Sequence, residues 1–67
     1  MTYELVNRQT ANSLASFESE TDALLAFRAI EDDDGRLAQN LLVVVFDDEG
    51  EAVDAHAAAE RAAELAI

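Results

Sequence analysis

The sequence predicts a small α+β protein with the element order ββαββα: a four-stranded antiparallel sheet from two hairpins, with two helices packed mainly on one face. Three observations predict it. Two segments near the start alternate with a period of two. Residues 20–32 repeat apolar positions at helical spacing. Leu41 to Phe46 is an unbroken, heavily β-branched run, followed by an acidic turn and an alanine-rich end. At 67 residues the chain makes one domain, 1–67, with no internal linker or repeat.

Over residues 2–8, Tyr3, Leu5 and Asn7 fall on one side and Glu4, Val6 and Arg8 on the other, the period of a strand. Gln9 to Asn12 is polar and ends on Asn12, a residue type that tolerates left-handed turn conformations. Alternation resumes over 13–18, with Leu14 and Ser16 opposite Ala15 and Phe17, so the two segments read as a hairpin. Ser19-Glu20-Thr21-Asp22 is a helix start. Its serine can cap free amides, and Glu20 and Asp22 put negative charge at the positive end of the dipole. Ala23, Leu24, Phe27 and Ile30 then form an apolar stripe, widened by Leu25 and Ala26. Gly35 is the expected stop, giving a helix over 20–32. Asp32, Asp33 and Asp34 face the wrong pole of that dipole and should fray its last turn, with Arg36 as partial compensation.

Arg36 to Asn40 reads as a connector, and Leu41 to Phe46 as the clearest strand in the chain. Asp47-Asp48-Glu49-Gly50 is a turn in which Gly50 can take positive φ. Glu51 to Ala55 returns as a poorer strand, apolar at Val53. From about Asp54, as cap, the run of alanines through Ala66 predicts a terminal helix. Its small side chains suit a packed helix; they would also suit a partner helix, with Glu60, Arg61 and Glu64 as a polar rim.

Charge bounds the function. Fifteen acidic residues against four arginines and no lysine give a net charge of −11. Arg8, Arg28, Arg36 and Arg61 form no basic run, so neither nucleic acid nor an anionic membrane surface is an expected partner. No apolar stretch is long enough to span a bilayer and the start lacks the layout of a signal peptide, so the expected location is cytoplasmic. Hydrophobic residues make up 51%, too many for a disordered tail, and the absence of cysteine removes disulfides and thiolate metal sites. Two readings fit the acidity. One is solvation at high ionic strength, as in proteins of salt-loving prokaryotes, where salt screens self-repulsion. The other is a regulatory inhibitor or antitoxin-like protein that docks on a basic protein partner by charge mimicry.

The strand over 41–46 carries Leu42, Val44 and Phe46 on one face and Leu41, Val43 and Val45 on the other. A strand wet on one side should alternate apolar with polar. So short a chain lacks material to cover both faces, unless one helix crosses to each side. The expectation is therefore self-association as a homodimer, stacking sheets or sharing strand edges, through Leu41, Val43 and Val45 with Val6 and Phe17.

Catalytic chemistry finds little support. His56, the one histidine, has Asp54 two residues before it, but no serine sits in a Gly-x-Ser-x-Gly elbow and there is no cysteine nucleophile. The runs Asp32-Asp33-Asp34-Gly35 and Asp47-Asp48-Glu49-Gly50 lack the alternating ligands and distal glutamate of a calcium loop. No phosphate-binding or dinucleotide glycine motif occurs. The reading is a non-catalytic interaction module without metal or cofactor.

Overall fold

A computed structural model describes residues 1–67. Strands β1 (Thr2–Asn7) and β2 (Asn12–Phe17) form the first hairpin, helix α1 spans Glu20–Asp33, and a single turn, α2, covers Gly35–Ala38. Strands β3 (Leu41–Phe46) and β4 (Ala52–Ala57) form the second hairpin, and α3 (Ala58–Glu64) ends the chain's regular structure. The four strands make one antiparallel sheet in the order β2-β1-β3-β4. The α+β fold and its ββαββα order are as the sequence predicts, with α2 as an addition.

Local chemistry explains the boundaries. Ser19 caps α1 in extended conformation, its Oγ accepting from the Asp22 N–H at 3.1 Å. The stop of α1 differs from expectation. Gly35 is not the left-handed terminator but the first residue of α2. Asp34 makes the break: its N–H donates to the Ile30 carbonyl at 2.7 Å, and its Oδ1 accepts from the Leu37 N–H at 3.1 Å. One residue thus closes one helix and caps the next, which gives the third aspartate of the run a task at a positive helix end.

The second correction concerns the end of the expected strand over 51–55: His56 and Ala57 extend β4 instead of opening the terminal helix, and Asp54 stands inside the strand and caps no helix. Their alanine-rich composition favours helix, but they pair with the most β-prone strand of the chain: Val45 with Asp54, Val44 with Ala55, Val43 with His56 and Leu42 with Ala57. Sheet pairing overrides local propensity here. Helix α3 accordingly starts at Ala58 with no side-chain cap, Ala57 holding the cap position.

Both long helices lie on the same face of the sheet. The core joins Leu5 of β1 and Leu41 and Val43 of β3 to Leu24 and Phe27 of α1, Ala38 of α2, and Ala58 and Ala62 of α3. Burying each large side chain contributes about 1.5–3 kcal/mol. Ala58 and Ala62 keep α3 close to the sheet and are committed to this core, while Ala59 and Ala63 face solvent. Arg61 then ties α3 to α1, its Nε and Nη2 donating to Glu20 Oε2 and Oε1 at 3.0 and 3.1 Å while Nη1 reaches Glu64 at 3.0 Å. These carboxylates raise the Arg61 guanidinium above its ordinary range. Of the polar rim expected for a partner helix, Arg61 and Glu64 are therefore paired inside the chain, while Glu60 stays exposed.

Candidate functional site

The covered face and the bare face of the sheet are built by neighbouring residues. Along β3, Leu41, Val43 and Val45 are buried beneath the helices, while Leu42, Val44 and Phe46 are half-buried on the opposite side. Phe17 packs against the same core as Tyr3. The self-association face expected from sequence is thus corrected. Leu41, Val43, Val45 and Phe17 are committed to the helix-covered side of a single chain, and only Val6 of that set lies on the bare side. The reason is chain geometry. Leu5 pairs with Val43 and carries it to the side on which α1 and α3 pack.

The bare side has its own form. Register sets Val6 opposite Leu42, Glu4 opposite Val44, and Thr2 opposite Phe46. Outside this centre lie small residues: Ser13 and Ser16 on β2, and Ala52, Ala55 and Ala57 on β4. The result is an apolar ridge of Val6, Leu42, Val44 and Phe46 between low shoulders. Nothing in the chain covers it. The molecule measures 33 × 27 × 16 Å, the thickness of one sheet and one helical layer. Its radius of gyration, 10.9 Å, matches the roughly 11 Å of a compact domain this long, so the uncovered face does not come from loose packing.

Charge avoids this face. Of the fifteen acidic residues, only Glu4 and Asp54 stand in strands, and Asp54 pairs with Val45 on the helix side. Glu4 is therefore the lone carboxylate among the strand positions of the bare side. Arg8 follows β1 with its N–H still donating to the Asn40 carbonyl at 2.9 Å, so the alternation sets it on the side of Glu4 and Val6. It is exposed, and it enters no ion pair within the chain.

The sheet edges are built differently from its centre. β1 and β3 pair without interruption, but each outer strand carries an irregularity, against Leu5 and Val6 on β2 and against Val45 and Phe46 on β4. Such bulges disrupt the straight ladder that a further strand would need. On β4 the Ala55 N–H already donates to Asp54 Oδ1 at 2.9 Å. Of the two modes of association the sequence leaves open, face stacking has an unobstructed surface and edge sharing does not.

His56 and Asp54 stand side by side on β4, with Nε2 and Oδ2 3.0 Å apart. The carboxylate can orient the ring, but no hydroxyl nucleophile hydrogen-bonds to it, and no pocket opens in the surface. No three histidine or acidic side chains gather as a metal site would require. No helix is long and apolar enough to cross a membrane. No family model matches the chain, and neither a curated protein nor a solved structure matches it.

Proposed function

We propose that this chain is a small acidic, non-catalytic interaction module that self-associates by stacking two copies through the bare face of the sheet. The observation that carries the reading is the ridge of Val6, Leu42, Val44 and Phe46, apolar and carboxylate-poor on a chain whose net charge is −11. A two-fold dimer brings the same patch of each copy together, so a like-charged patch would oppose it and a neutral one would not. A face within a 33 × 27 Å outline can hide the roughly 600–1,000 Å² per copy of a standard interface. The single-chain core supports the need for it, because only ten residues are buried and four of them are alanine. A chain this short rarely draws more than about 3–5 kcal/mol from its own core, and a stacked partner adds to that. The setting that suits the remaining carboxylates is a prokaryotic cytoplasm of high ionic strength.

The test is the mass in solution, by light scattering or sedimentation equilibrium in 1 M KCl. A mass of twice 7.3 kDa is expected, and Val44→Asp should return it to the single-chain value with the far-UV circular dichroism unchanged. Ala55→Glu, on an exposed shoulder position, is the second variant should Val44→Asp fail to fold, and should weaken association at least tenfold. A wild-type mass of 7.3 kDa up to ~1 mM protein, where a contact of about −4 kcal/mol would show, overturns the reading. The charge-mimicry alternative rests on the carboxylates away from this face. It predicts instead a monomer that binds a basic protein at low salt and releases it as screening rises.

A further inference from the structure

We infer that ionic strength gates the self-association just proposed, so that the chain passes from one copy to two as salt rises. The inference rests on that reading and on where the charge lies. Within the bare face Glu4 is offset by Arg8, and the contact carries almost no net charge of its own. The rest of the −11 lies outside the strand positions of the bare face: on and beside α1, around α3, on Asp54 of the helix side, and in the Asp47–Glu51 turn at the end of the sheet. Two copies that stack therefore repel through solvent, over distance, and not within the contact. That kind of repulsion is the kind salt removes.

The molecule's thickness sets the scale. Stacking two bodies 16 Å thick puts their centres about one thickness apart. That is less than two Debye lengths at 0.1 M salt, where the length is about 10 Å, and about five at 1 M, where it is about 3 Å. One pair of charges at that distance is already largely screened at 0.1 M, but two copies of net charge −11 oppose each other through 11 × 11 such pairs, so a summed repulsion survives there and is removed at 1 M. The apolar ridge, indifferent to screening, then decides the outcome.

Sedimentation equilibrium of the full chain at 0.1, 0.3 and 1 M KCl tests this, beside a variant carrying Asp32→Asn, Asp33→Asn and Glu49→Gln. All three positions are exposed and away from the ridge, and none of their carboxylates makes a hydrogen bond or ion pair. They take the net charge from −11 to −8, which cuts the charge product of the pair to roughly half. The wild type should tighten by roughly tenfold or more across the range, and the variant should associate more tightly at 0.1 M and respond less to salt. Equal salt dependence in both proteins overturns the gate, because it marks salting-out of apolar surface. Weaker wild-type association at higher salt also overturns it, because contact ion pairs then dominate. Both outcomes leave self-association standing, whereas a single copy at every salt removes the reading beneath it.

Discussion

The two hairpin turns of this sheet solve one backbone problem with different residues. At the first, Asn7 Oδ1 accepts from the Gln9 N–H at 2.9 Å, and the turn closes on Ala11 in the left-handed region at φ 60°. At the second, Asp47 Oδ1 accepts from the N–H groups of Glu49 and Glu51 at 2.9 and 3.0 Å, and the turn closes on Gly50 at φ 84°. Each uses a side-chain acceptor to start the turn and a left-handed residue to end it. Only the second has glycine where the backbone asks for it. An L-residue with a Cβ pays about 1–2 kcal/mol to stand there, so the first turn is strained and the second is not.

Substitutions in the two turns can break or sharpen that contrast. The largest effect should come from Gly50→Ala. The space around it is open, so the cost is conformational alone: about 1–2 kcal/mol, a loss of several degrees in Tm. Asp47→Ala should come next at about 1 kcal/mol, because two turn amides lose their acceptor and turn to water. The smallest effect, and of opposite sign, should be Ala11→Gly. Relief of the left-handed strain, less the extra freedom of glycine in the unfolded chain, leaves a gain of about 0.5 kcal/mol. Urea midpoints at one salt and one protein concentration measure all three. A destabilised Ala11→Gly would show that Ala11 is not strained and that the two turns are not equivalents.

The same contrast explains what was legible in the residues. Gly50 could be placed because a positive φ and a glycine coincide; Ala11 could not, because nothing in an alanine announces a left-handed backbone, and Asn12 beside it looked the better candidate. Gly35 misled for the converse reason: a glycine after a helix reads as a left-handed cap, but Asp34 had already supplied the break with one side-chain acceptor. Ser19 was readable because its cap is local, an oxygen and an amide three residues apart. His56 and Ala57 were not, because their strand state depends on Val43 and Leu42, 13 and 15 residues away.

By itself the sequence determined the order of elements, the acidity, and the fact that the strand over 41–46 is apolar on both sides. These are properties of neighbours along the chain, where periodicity and side-chain chemistry act directly. Which side would be dry was decided by tertiary structure alone. Valine is as apolar at 43 as at 44, and no residue on β3 records where α1 and α3 will pack. Only once Leu5 is paired beside Val43, and both helices close over that pair, does the other side become the free surface. The difference between the covered core and the bare face of this protein is one residue of register.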